Sequence, residues 1–194
     1  MIHLRVLRRC CAAVLIVVCA VLSAVPGEAA GYRDYAASLV QSLPAGARFR
    51  PDLEAALADL ANRYRAAKDR PPLAAAEDFQ LAARAHAADM MINGFMGHRS
   101  STGYDFEARM RSLVTDVTRY PGMAENAARD TQKGPADAAK ARRLFQQWVE
   151  SRAHRHALLS LDYAFVSTGV VQRGDKIWAV QIFWAAPRQK GLFQ

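Results

Sequence analysis

The sequence predicts an α+β domain built in layers. Apolar side chains recur at helical spacing through most of residues 51–159, and the period then changes. Val166–Gln172 and Lys176–Phe183 are rich in β-branched and aromatic residues, and Arg173-Gly174-Asp175 separates them as a hairpin turn. Helices first and a hairpin last is the order of an α+β fold.

Residues 1–30 read as a secretory leader. Arg5, Arg8 and Arg9 precede an almost unbroken apolar run from Cys11 to Val25, and Gly27-Glu28-Ala29-Ala30 offers small residues to a signal peptidase. The run is shorter than the roughly 20 residues of a spanning helix. Cleavage is therefore expected over an uncleaved anchor, with no stable membrane span afterwards. Removing residues 1–30 leaves 164 residues, enough for one domain with a real core. All three cysteines (Cys10, Cys11, Cys19) leave with the leader. The mature domain must then hold by apolar packing, as suits a bacterial envelope protein. Net charge falls from +8 to +6, because three arginines and one glutamate go. The remaining basic residues are mostly arginines scattered among Asp and Glu. A nucleic-acid surface would cluster them with aromatics, so no nucleic-acid partner is expected.

Residues 31–50 form a lead-in, in which Tyr32–Val40 predicts a short helix stopped near Pro44 and Gly46. Asp52 is the expected N-cap of a helix carrying Leu53, Leu57, Leu60 and Tyr64, ending before Pro71-Pro72. A second helix is predicted from about Ala75 to Asn93, with Gly94 as its stop. Asp105–Leu113 predicts a short third helix, and Val114, Val117 and Tyr120 an edge strand before the Pro121-Gly122 turn. Asp137 caps a helix running to Ser151, with Ala141, Leu144, Phe145 and Trp148 on one side. His154–Leu159 continues it as a short helix or last turn.

Four polar residues stand out as chemistry-bearing. His98 follows a helix stop with two glycines and so lies on a loop, where functional histidines are often placed. Glu125, in Ala124-Glu125-Asn126-Ala127, is either a metal or water ligand or an acceptor that pins backbone amides. Glu150 and His154 are four apart. If the helix continues through Ser151, the carboxylate fixes the imidazole tautomer; otherwise they form an exposed pair without consequence. His86 lies on the apolar stripe of its helix and reads as a core histidine. No His-Glu-x-x-His zinc signature is present.

Five stretches in order resemble the CAP domain, the family of cysteine-rich secretory, antigen-5 and pathogenesis-related proteins. They are Asn62-Arg63-Tyr64-Arg65 with Pro72-Leu73; Phe95, His98, Ser100, Gly103 and Arg109; Ala124-Glu125-Asn126-Ala127-Ala128; Trp148-Val149-Glu150-Ser151-Arg152-Ala153-His154-Arg155; and the hairpin from Thr168 to Phe183. The likeness is to the disulfide-free bacterial branch. It assigns residues 51–187 to the domain and leaves 188–194 as a tail.

The resemblance implies an α-β-α sandwich, with helices on both faces of a small antiparallel sheet of about three strands. It also implies a cleft where His98, His154 and Glu125 hold zinc or another divalent cation, with Glu150 and Ser151 beside it. Two departures are plain. Ala124 replaces a glycine, and Ser151 occupies the position where a second glutamate belongs, leaving Glu150 one residue short. The function so implied is a secreted protein, periplasmic or extracellular, that binds a divalent cation or a small, lipid-like ligand. A rival reading is a hydrolase with Glu125 as general base and Ser100, Ser101 or Ser151 as nucleophile candidates. A third is attachment to a cell-envelope component through positive charge. Of these, a binding role is expected over an enzyme.

Overall fold

The computed structural model describes residues 28–186, with side chains from residue 31 onward. The expected leader lies outside the described residues except for its last three, and the tail 188–194 lies outside them entirely.

The elements follow in the order α1 (Glu28–Gln41), β1 (Ala47–Phe49), α2 (Pro51–Ala66), β2 (Ala74–Ala75), α3 (Gln80–Asn93), α4 (Phe106–Leu113), β3 (Met123–Asp130), α5 (Ala138–Glu150), α6 (Arg152–Leu159), β4 (Phe165–Arg173) and β5 (Lys176–Trp184). A short 3-10 turn spans Val117–Arg119. The sheet has five strands rather than about three. Its backbone is the β4–β5 hairpin, with β3 antiparallel on the free side of β5. On the other side, β1 runs antiparallel to the end of β4 and β2 runs parallel to its start.

Helices cover both faces. Leu53, Leu57 and Ala61 of α2, Leu144 and Trp148 of α5 and Leu158 of α6 pack with Val166, Val170, Ala179 and Phe183. On the opposite face Phe79 and, from α3, Ala83, Ala87 and Met90 pack with Val171, Trp178, Val180, Ile182 and Trp184. The period-2 alternation along β5 divides its side chains between these two cores. α1 lies outside α3, with Tyr32, Ala36 and Leu39 against Ala85 and Ala88.

Several sequence expectations are corrected. The edge strand is not Val114–Tyr120, which forms a loop and the 3-10 turn, but Met123–Asp130. α3 begins at Gln80, because Ala74–Ala75 pairs with β4 as a strand. Asp52 does not cap α2. Pro51 opens that helix, and Asp52 pairs with Arg50 (Arg50 Nε to Oδ1, 2.8 Å). The N-caps at Asp105 and Asp137 do form, accepting from the amides of Ala108 and Lys140. Gly94 ends α3 in the left-handed conformation (φ 71°), where a side chain is strained.

Candidate functional site

The site sits over the open edge of β3. Successive residues of a strand face opposite ways. Glu125 therefore turns toward the α3–α4 layer and Asn126 toward the α5–α6 layer. His98, on the loop after α3, and His154, in the first turn of α6, come from those two layers. Their ring centroids stand 6.1 Å apart, inclined by 67°.

Buried Glu125 organises this group. Arg109 Nη2 donates to both of its oxygens at 2.8 Å, and His98 Nδ1 lies 2.9 Å from Oε1. Arg109 Nη2 also donates to the backbone carbonyl of His98 (3.0 Å), which ties the loop to α4. Across the strand, Asn126 Nδ2 donates to the backbone carbonyl of His154 (3.2 Å). β3 therefore holds both histidines, one through a side-chain bond and one through its backbone. His86 is fully buried, as the sequence predicts. Its Nε2 is 2.8 Å from the carbonyl oxygen of Gly97 and 3.8 Å from Glu125 Oε1.

The electrostatics separate the two cleft histidines. The bond to Glu125 raises the pKa of His98 above the ordinary 6.5, against partial desolvation. Burial lowers that of His154, and the neighbouring His98 adds to the shift. Burial works to raise the pKa of Glu125, but the Arg109 charge and the bonds from His98 and Arg109 outweigh it, so the carboxyl stays below its usual range. Two imidazoles with opposed shifts share a proton unequally. In an NMR titration of the ring protons, His98 is expected to titrate above 6.5 and His154 below it, and Glu125→Gln should bring His98 down. The Glu125–His98 interaction contributes stability below pH 6.5 and loses it as pH rises through the raised His98 value.

The four sequence-predicted residues thus separate. His98, His154 and Glu125 come together, but not as a three-ligand cage. Both Glu125 oxygens are taken by Arg109 and one also by His98, and no group of three His, Cys, Asp or Glu among the described residues is arranged to hold a metal. Glu150 does not join them. Ser151 leaves the helical conformation (φ −75°, ψ 123°) and breaks α5 from α6, so the i,i+4 register with His154 is lost. Glu150 is exposed and accepts from Gln146 Nε2 at 3.1 Å. Ser151 serves as the junction, with no side-chain capping bond. Ser100 and Ser101 are structural. Ser100 Oγ contacts Thr102 Oγ1 and accepts from the Tyr104 amide, while Ser101 Oγ donates to Asp89.

The sequence reading missed Arg109 as a site residue, although a signal was present. Phe106, Met110 and Leu113 form the apolar stripe of α4, and Arg109 sits within it. A charge on a buried stripe needs a buried partner.

A groove of about 450 Å³ lies on the far side of the sheet, lined by Glu54, Gln80, Arg84 and Thr168 among others. Its central carboxylate, Glu54, is already engaged by Arg84, Gln80 and the amide of Val170. It fills the gap that β1 and β2 leave beside β4, and it is separate from the histidine cleft.

Residues 58–183 match the family model described as the cysteine-rich secretory protein family, CAP. The chain belongs to this family. An uncharacterised protein of Bacillus subtilis (strain 168), YkwD, is 30% identical over 129 residues, covering 66% of this chain and 46% of its own length. An extracellular protein with an SCP domain from Bacillus anthracis superposes with a TM-score of 0.56 at 25% identity, over 70% of this chain and 41% of that one. An outer surface protein of Borrelia burgdorferi superposes with a TM-score of 0.59 at 15% identity, over 70% and 93%, a likeness of fold alone. This CAP domain spans less than half the length of the two Bacillus proteins. No helix among the described residues is long and apolar enough to cross a membrane.

Proposed function

We propose that this CAP-domain protein acts outside the cytoplasm and that its cleft binds a divalent cation through His98 and His154. The observation that carries the reading is the geometry of His98: Nδ1 is fixed on a buried carboxylate at 2.9 Å while the ring faces His154 at 6.1 Å. Glu125 selects the tautomer that leaves Nε2 of His98 as a free lone pair, the usual arrangement behind a metal-binding imidazole. Two rings ligating one zinc at about 2.0–2.1 Å per nitrogen lie at a separation of this order. Imidazole donors suit zinc over calcium or magnesium. A bound zinc would supply Lewis acidity and open positions for water or ligand oxygens.

The hydrolase reading is less supported. Both Glu125 oxygens accept from Arg109 and one lies 2.9 Å from His98 Nδ1, and a lowered pKa makes its carboxylate a weak proton acceptor. Export is supported by the leader-like residues 1–30 and by the extracellular description of the Bacillus anthracis relative.

Calorimetric titration with zinc tests the reading. Wild-type protein is expected to bind one zinc, and His98→Ala/His154→Ala none. Glu125→Gln should weaken binding about ten- to a hundredfold at unchanged stoichiometry. Binding should fall with pH, first as His98 is protonated and more steeply, toward about a hundredfold per pH unit, once His154 is too. Failure of the wild type to bind, or undiminished binding by the double variant, overturns the proposal.

A further inference from the structure

We propose that α1 is a positioning element of the histidine cleft, acting through the hydroxyl of Tyr35; this rests on the cleft being the working site. α1 lies outside the stretch 58–183 that carries the family match.

Asp89 of α3 is fully buried, and no cation among the described residues lies within ion-pair distance of it. Neutral donors carry its charge: Tyr35 OH at 2.8 Å, Ser101 Oγ at 2.6 Å, the Ser101 amide at 3.0 Å and Asn93 Nδ2 at 2.8 Å. Ser101 belongs to the same loop as His98, three residues on. One end of that loop is therefore pinned to α3 through Asp89, and Tyr35 of α1 completes the pin. The other attachment is Arg109, which holds the His98 carbonyl and Glu125. Tyr32 of α1 is buried beside Arg109, its hydroxyl without a hydrogen-bond partner among the described residues, so it packs there without bonding. Arg33 donates to the carbonyls of Ser112 and Leu113 at the end of α4, the helix that carries Arg109. Contacts from Arg33 and Tyr35, within a single turn of α1, thus reach each element that aims His98.

A simpler role for α1 is to cover apolar surface, through Tyr32, Ala36 and Leu39 on Ala85 and Ala88. Tyr35→Phe separates the two roles, since it keeps the ring and removes only the hydroxyl. A buried carboxylate deprived of one donor loosens what its other donors hold.

The experiment is residue-resolved amide hydrogen exchange on the metal-free protein, with the His98 ring Nδ1–H resonance as a second readout. In Tyr35→Phe the Ser101 amide is expected to exchange about tenfold faster and the His98 ring signal to shift or broaden, while amides of α5 and β5 keep wild-type rates. An unchanged Ser101 rate in Tyr35→Phe, an equal acceleration of every amide, or an unmoved His98 signal in that variant overturns the proposal. Because no metal is present, these outcomes are independent of whether zinc binds.

Discussion

Gly169→Ala is expected to destabilise the protein by about 3 kcal/mol or more, lowering the thermal midpoint by roughly 6–12 °C for a domain of this size. The cause lies in the packing of α3 on the sheet. A Cβ built at Gly169 would stand 2.4 Å from the Ala83 carbonyl carbon and the Arg84 amide nitrogen, and 2.7 Å from the Ala83 oxygen. These are backbone atoms, so no rotamer change can relieve the overlap. Either α3 rises off β4 or β4 leaves its register between β1 and β5. Both routes separate Ala83 and Ala87 from Val171 and Val180, which form one core cluster. Interiors are too densely packed to absorb the shift. The effect should extend to the cleft, because α3 leads directly into the His98 loop and also carries Asp89. Thermal unfolding followed by circular dichroism measures the first effect. A wild-type midpoint would mean that α3 is free to move on the sheet and that its close approach at Gly169 contributes nothing.

Some of this architecture was open to sequence reasoning. α5 combines an Asp137 cap with a stripe of Ala141, Leu144, Phe145 and Trp148, so local and tertiary signals agree. The β4–β5 hairpin is equally plain, with Gly174 at φ 60° in its turn. β3 was hidden for a physical reason. Its sequence, Met-Ala-Glu-Asn-Ala-Ala-Arg-Asp, contains no β-branched or aromatic residue, and it is a strand because it pairs with β5 over eight positions. β1 and β2 are three and two residues long, too short to show any period. In the site, His98, His154 and Glu125 were reached through the family resemblance, since nothing in their spacing brings residues so far apart together. Glu150 was misleading because a helical register was extended through Ser151, where the chain turns out of the helix. Asp89 and Tyr35 carried no signal, because a neutral cage around a carboxylate exists only once three elements have met.

Arg109→Met is expected to cost about 3–5 kcal/mol, the range for removing one partner of a buried ion pair. Arg109 and the Glu125 side chain are almost fully enclosed, and one guanidinium nitrogen serves both carboxylate oxygens. Methionine fills much of the volume, so the loss is electrostatic rather than a cavity effect. The pH dependence should change sign. In the wild type the Glu125 pKa is lowered, so its contribution is present above the ordinary 4.5 and disappears as pH falls through the lowered value. Without Arg109, burial is opposed only by His98 and His86, and the carboxyl is expected to rise above 4.5 and take up a proton in the folded state. Stability of the variant should then increase as pH is lowered from 7 toward 5, where the Glu125 contribution in the wild type is level. Arg109→Met/Glu125→Leu removes both charges and should recover most of the loss, while depriving His98 Nδ1 of its acceptor and bringing its pKa down. Urea unfolding at several pH values, with an NMR titration of His98 in the double variant, measures all three effects. A loss below about 1 kcal/mol for Arg109→Met, within the range of an exposed pair, would show that water reaches Glu125 and that the cleft rests on something other than this ion pair.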